Sequence, residues 1–130
     1  MGDTTVFKDH FSGHADAYAR YRPGYPPPLF DWLARQAPGR ELAWDVGTGN
    51  GQVARYLADH MTSVHATDAS AQQLARAEGP PNVRFAVEPA ERSFLVDDSV
   101  DLVTVGQALH WFDLESFYGE VRRVLKRGGL

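Results

Sequence analysis

The sequence predicts an α/β fold, an open parallel sheet flanked by helices, and three observations lead there. A short apolar run, Leu42-Ala43-Trp44-Asp45-Val46, feeds into a glycine-spaced turn, Gly47-Thr48-Gly49-Asn50-Gly51, and then into the amphipathic stretch Gln52-Val53-Ala54-Arg55-Tyr56-Leu57, the pattern of strand, tight turn and helix. Short β-prone runs and helix-compatible segments then alternate along the chain, as βαβ units require. Finally, Val100-Asp101-Leu102-Val103-Thr104-Val105-Gly106 reads as a strand apolar on both faces, which suits the interior of a parallel sheet covered on two sides.

In chain order, residues Met1 to Gly24 are polar and aromatic, with Phe7, Phe11, Tyr18 and Tyr21 spaced by about a helical turn or multiples of it. Ala15 to Arg20 is helix-compatible, and Arg22-Pro23-Gly24-Tyr25-Pro26-Pro27-Pro28 stops it. A helix is expected from Pro27 or Pro28 to Gln36, since proline costs nothing at a helix start; its apolar face is Leu29, Phe30, Trp32 and Leu33. Ala37-Pro38-Gly39-Arg40 is a turn, and the first strand follows at Glu41 to Val46. The helix after the glycines, Gly51 to His60, should bury Val53, Ala54 and Leu57 against the sheet. The second strand is Ser63 to Thr67, and Ser70 with Gln73 forms a capping box for a helix from Ala71 to Ala77. Gly79-Pro80-Pro81-Asn82 breaks the chain before a third strand, Val83 to Val87. After the fourth strand, Gln107-Ala108-Leu109-His110-Trp111-Phe112-Asp113 leaves its carboxyl end, where open α/β sheets bind ligands. Asp113 should cap a last helix, Leu114 to Lys126, burying Leu114, Phe117, Val121, Val124 and Leu125, with Gly128 as its stop. Right-handed crossovers order the strands 3-2-1-4.

Composition narrows the function. The 130 residues amount to one domain, and 43% hydrophobic content supports a real core. There is no cysteine, so neither disulfides nor thiolate metal sites are available. A net charge of -4 without a Lys/Arg cluster argues against a nucleic-acid partner. No apolar run has the length of a membrane span or signal sequence, so no membrane association is expected and the cytoplasm is the expected compartment. The histidines, at positions 10, 14, 60, 65 and 110, lack metal-ligand spacing, and no metal is expected.

The glycine spacing selects the cofactor. A dinucleotide fingerprint needs G-x-G-x-x-G or alanine, but after Gly47 and Gly49 this chain has Gly51 one place early and Gln52 at the third small position. The Gly-Lys-Ser or Gly-Lys-Thr of a phosphate loop is absent. Asp45, two residues before the first glycine, repels phosphate and attracts an ammonium group. A cofactor with a cationic end and no phosphate is therefore expected, and S-adenosylmethionine is such a molecule. Asp68 stands 21 positions after Gly47, where βαβ nucleotide sites place an acid on the two ribose hydroxyls. The cap belongs to Ser70, which leaves Asp68 without a role unless a ligand is bound.

Asp45-Val46-Gly47-Thr48-Gly49-Asn50-Gly51 resembles the first motif of class I S-adenosylmethionine-dependent methyltransferases, a Rossmann-like family. Tyr18-Ala19-Arg20-Tyr21-Arg22-Pro23-Gly24-Tyr25-Pro26 resembles the preamble of the methyltransferase type 11 and trans-aconitate methyltransferase-like group, and His110-Trp111-Phe112-Asp113 that group's pattern after the fourth strand. The resemblance implies a helical lid over residues 1–40 and a cofactor-binding core over 41–130, together a single domain. It implies cofactor contacts at Asp45, Gly47, Thr48, Gly49, Asp68, Ala69, Ala90, Glu91 and Gln107, with Ala90 and Glu91 beside the adenine and Gln107 at the methionine part. Tyr21, Arg22 and Trp111 become candidates for the substrate, a small molecule such as a carboxylic acid, and His110 for a general base. Structural readings stand beside these: the tyrosines as core anchors, the arginines as solvated groups, His110 as a packed side chain, the 88–91 patch as a surface loop.

A family member would continue from Arg127-Gly128-Gly129-Leu130 through three more strands. A chain truncated after the fourth strand is therefore expected, with Val100 to Val105 left as an apolar edge through which a homodimer could form. The activities consistent with this sequence are methyl transfer by direct displacement, S-adenosylmethionine binding without catalysis, nicotinamide-dependent oxidoreduction (disfavoured by the glycine spacing) and edge-pairing interaction.

Overall fold

The computed structural model of the chain describes residues 26–105 and 113–130. The N-terminal helix expected over Ala15 to Arg20 lies outside those residues. The elements are α1 (Pro27–Gln36), β1 (Leu42–Val46), α2 (Gln52–Ala58), β2 (Ser63–Asp68), α3 (Ala71–Leu74), β3 (Val83–Val87), β4 (Leu102–Val105) and α4 (Leu114–Val124). All pairings are parallel and the strand order is β3-β2-β1-β4, as the crossover argument requires. In register, Asp45 of β1 stands beside Ala66 of β2 and Thr104 of β4.

The sheet has two covered faces. On one, Ala43, Val64, Ala66 and Leu102 pack with Phe30 and Ala34 of α1 and with Ala54 and Leu57 of α2. On the other, Trp44, Val46, Ala90 and Val100 pack with Phe117 and Val124 of α4. Alternation along β1 sends Ala43 and Trp44 to opposite faces. Side chains as large as Phe30, Leu57 and Phe117, buried almost completely, each contribute about 1.5–3 kcal/mol by leaving water. Trp44 is fully buried, and its indole N–H finds a partner in the Thr67 hydroxyl at 3.0 Å.

Several boundaries and faces differ from expectation for local physical reasons. In α1, Phe30 and Ala34 lie one turn apart and form the buried stripe, while Trp32 points away and is 51% exposed. In α4 the buried stripe includes Phe117, Glu120 and Val124, and Leu114 in the first turn is 42% exposed. Helix α2 starts at Gln52 because Gly51 is its left-handed cap. Helix α3 ends at Leu74, since the next turns tighten to Arg76 N–H onto Gln73 C=O and Ala77 N–H onto Leu74 C=O. The side chains of Ser70 and Asp113 cap the N–H groups of Gln73 and Ser116, but the reciprocal half of the expected Ser70 box is taken by Asp68, whose carboxylate accepts Ser70 N–H.

The outer edge of β4 is not bare, which corrects the expectation of a free edge from Val100 to Val105. Val100 bridges Leu125, and its carbonyl accepts Lys126 N–H. Asp101 C=O and Val103 N–H then bond the N–H and C=O of Leu130. Helix α4 accordingly ends at Val124 rather than Lys126, because Leu125 and Lys126 have turned to run along the strand. Asp101, inside the expected apolar strand, is a fully buried carboxylate that accepts the N–H groups of Glu41 and Leu42 at 2.9 and 3.1 Å and faces Lys126.

Gly51 illustrates how closely the loop fits the sheet. Its φ is +88°, and a Cβ there would sit 2.7 Å from the Phe85 ring. At Gly49 φ is +57°, yet the nearest atom to a Cβ is 3.9 Å away. Gly49→Ala should therefore cost about 1–2 kcal/mol for the left-handed backbone alone, and Gly51→Ala at least about 2–3 kcal/mol once the steric term is added. Urea unfolding of both variants, showing the larger loss at position 51, is the expected result.

Candidate functional site

The carboxyl ends of β1, β2 and β3 converge on the glycine loop. Thr48 N–H reaches the Thr67 carbonyl at 2.8 Å, tying the loop to β2, and Gly51 N–H closes the turn onto the Thr48 carbonyl at 2.9 Å. Gly47 and Gly49 adopt positive φ, +67° and +57°, as Gly51 does, so residues without a side chain carry the left-handed turns, and these two do so at the loop's half-exposed surface.

Asp68 at the end of β2 is the loop's second anchor. One oxygen accepts Gly49 N–H at 2.9 Å and the other accepts Ser70 N–H at 2.9 Å. The expectation that Asp68 has no role without a ligand is thus overturned, for it holds the loop in the protein itself. A carboxylate offers about four acceptor sites, so capacity remains for two hydroxyls. Ala69 beside it is exposed.

Asp45 lies beneath the loop, 1% exposed. Its oxygens accept the hydroxyls of Thr48 at 2.6 Å and Thr104 at 2.8 Å, and no cationic side chain among the described residues pairs with it. Burial pushes its carboxyl up to about 6, the two hydroxyl bonds restrain that rise, and the negative charge of Asp68 adds to it. The Thr48 hydroxyl, bound to Asp45 and mostly buried, serves the loop from below. Thr104 escaped the sequence reading, because its hydroxyl meets Asp45 only through the register of β4 beside β1.

After β3 the chain folds under the sheet. Ala90 is 5% exposed and packs into the core beside Trp44 and Val46. The Glu91 carboxylate accepts Asp113 N–H at 2.8 Å, joining this segment to the start of α4. Glu88 and His65, neither expected to matter, form a buried pair at 3.2 Å. Tyr18, Tyr21, Arg22, Gln107, His110 and Trp111 lie outside the described residues. Among the described residues no group of three or more His, Cys, Asp or Glu side chains could hold a metal, and no helix is long and apolar enough to cross a membrane.

Residues 44–130 match the family described as a methyltransferase domain. The chain is 37% identical to a candidate methyltransferase of Dictyostelium discoideum over 96% of its own length and 48% of that protein's. It is 40% identical to an uncharacterized methyltransferase of Mycobacterium tuberculosis over 92% of its length and 49% of the relative's. Among solved structures it resembles a candidate type II methyltransferase from Anaeromyxobacter dehalogenans, with TM-score 0.80 and 45% identity, covering 83% of this chain and 46% of that one. The Bacillus subtilis YcgJ protein is similar with TM-score 0.67 and 30% identity, over 75% of this chain and 45% of that one. The chain spans about half the length of the relatives it matches.

The environment of Asp45 sets a pH dependence. Its folded pKa, about 6, lies above the ordinary 3.8, so the folded state binds the extra proton. Stability from this group is full below about pH 4 and declines as pH rises to about 6, by roughly 3 kcal/mol for two pKa units. Asp45→Asn should abolish that decline, and urea unfolding of both proteins between pH 4 and 7 measures it. Parallel pH curves would show that the carboxyl is not held protonated by burial.

Proposed function

The chain belongs to the class I S-adenosylmethionine-dependent methyltransferases, and from that membership we propose that its glycine loop binds S-adenosylmethionine for methyl transfer to a small-molecule acceptor. The observation that carries this reading is the meeting of three features at the carboxyl ends of parallel strands: the left-handed glycines Gly47 and Gly49, a half-buried Asp68 with spare acceptor capacity, and a buried Asp45 that no cation among the described residues pairs with. The open space above Gly49 and the chemistry of the two acids fit this cofactor, which combines an ammonium group with a ribose diol.

In this reading Gly47 and Gly49 let backbone approach the cofactor, and Asp45 supports the amino end from beneath, through Thr48 and the loop. Asp68, with Ala69 beside it, receives the ribose; Ala90 and Glu91 border the adenine. Gln107 meets the methionine part. On the acceptor side, assigned on sequence alone, Tyr21, Arg22 and Trp111 contact the substrate, with Arg22 suited to a carboxylate. When bound, the cofactor supplies a methyl group on a positively charged sulfur, which is already a good electrophile. Direct displacement is the chemistry this would allow: the cofactor would give its methyl group to an acceptor oxygen, nitrogen or carbon and leave as S-adenosylhomocysteine, and His110 would take any proton the acceptor must lose. What the protein contributes is mainly alignment and exclusion of water. The cytoplasm is the proposed place of action, and the edge of β4 beyond Val103 is what remains for a second copy to pair with.

Calorimetric titration with S-adenosylhomocysteine tests the cofactor reading directly. Saturable binding is expected, weakened by about tenfold to a hundredfold in Asp68→Ala as the charge-assisted contact to the ribose is lost. NAD should not bind. A folded protein that ignores S-adenosylhomocysteine, or prefers NAD, ends the proposal.

A further inference from the structure

A buried pair outside the expected site governs the segment that leaves β3. His65 occupies an interior position of β2, on the same face as Trp44 and Thr67, where an aliphatic side chain would be ordinary. Its Nε2 stands 3.2 Å from each oxygen of the Glu88 carboxylate, and both residues are buried, at 8% and 3% exposure. Glu88 is the first residue after β3. Its backbone N–H donates to the Asp68 carbonyl at 3.1 Å, and its carboxylate also accepts Phe94 N–H at 3.3 Å. The chain thus leaves β3 anchored to Asp68, runs past Ala90 and Glu91, and returns at Phe94 to the same carboxylate.

A buried acid–imidazole pair gives little net stability over apolar residues of similar size, because desolvation consumes most of the attraction. What such a pair specifies is geometry, since both partners must be satisfied at one separation and angle. Here the specified object is the course of residues 88–94. Ser93, bound through its N–H and hydroxyl to Glu120 at 2.7 and 2.8 Å, fixes the far end of that segment independently. Among the described residues, the near end is held by the Asp68 carbonyl and the His65–Glu88 pair, and Glu91 by Asp113 N–H.

We infer that His65 and Glu88 are positioning residues for base recognition, holding residues 90 and 91 in register with the edge of the bound adenine. The inference rests on the cofactor reading above. A purine edge is distinguished by where single donors and acceptors sit, and small displacements of the supporting segment erase the distinction. The carboxylates of Asp68 and Asp45 touch neither member of this pair, so ribose binding and the amino end should not respond.

S-adenosylhomocysteine and S-inosylhomocysteine differ only at the purine edge, where the inosine analogue reverses the donor and acceptor pattern. The ratio of their dissociation constants therefore reads base recognition separately from folding. The native protein should prefer the adenosyl compound. In His65→Phe and Glu88→Ala that preference should fall about tenfold, with affinity for the inosyl compound unchanged, while His65→Gln, which keeps an N–H for Glu88, should restore most of it. Where a variant fails to fold by circular dichroism, Glu88→Gln is read the same way, since it keeps the shape but weakens the contact to His65. An unchanged ratio in folded variants, or an equal loss for both ligands, overturns the positioning role and leaves the cofactor reading intact. Failure of the native protein to bind either ligand overturns both.

Discussion

The glycine-loop end of this molecule depends on one carboxylate. Asp68 terminates β2, yet it holds the loop that leaves β1, through Gly49 N–H, and the start of α3, through Ser70 N–H. Its own carbonyl receives the chain leaving β3 at Glu88. Three strand ends are therefore tied at one residue. Parallel register makes this possible, because it brings the carboxyl ends of all the strands to the same side of the sheet. The left-handed glycines complete the arrangement by letting the loop bend back far enough to present an N–H to that carboxylate.

Beneath this surface, several carboxylates among the described residues are buried in the core on specific partners. Asp45 rests on two hydroxyls, Glu88 on an imidazole and a backbone N–H, and Glu120 on Ser93 and Arg123. The Arg123 guanidinium at 2.6 Å, with the Ser93 bonds, holds the Glu120 carboxyl down to about 2. Asp101 plays the same structural part at the other end of the sheet, receiving the first backbone amides of the strand beside it. A protein of this size spends much of its interior on such links because it must fix loops as well as strands. The helix faces are mainly apolar, whereas the polar links concentrate where the chain leaves or enters the sheet.

The class, the parallel order and the glycine loop were legible in the sequence because each rests on local pattern. Gly47, Gly49 and Gly51 announce a turn by spacing, and Ser70 and Asp113 announce caps by their place before apolar runs. Long-range pairings were not legible. Nothing in the run Val100 to Gly106 reveals that Thr104 reaches back to Asp45, since that contact depends on strand register. His65 read as an isolated histidine because its acid lies 23 residues further on, just past the end of β3. Trp32 and Leu114 were placed on buried faces by hydrophobicity, but helical geometry could not say how wide the covered stripe is. The free edge of β4 was misjudged because the segment from Leu125 to Leu130 carries little pattern of its own and takes its extended course from the strand beside it.

The contact between Gly51 and Phe85 joins the glycine loop to the strand at the opposite margin of the sheet. Two positions distant in the chain therefore behave as one unit of inheritance. A smaller side chain at 85 would open room above the loop, and only then could position 51 drift toward asparagine or another residue that tolerates a left-handed backbone. Among descendants of a common ancestor, glycine at 51 should travel with an aromatic ring at 85. An engineer who reshapes the margin of the sheet would be altering the glycine loop as well.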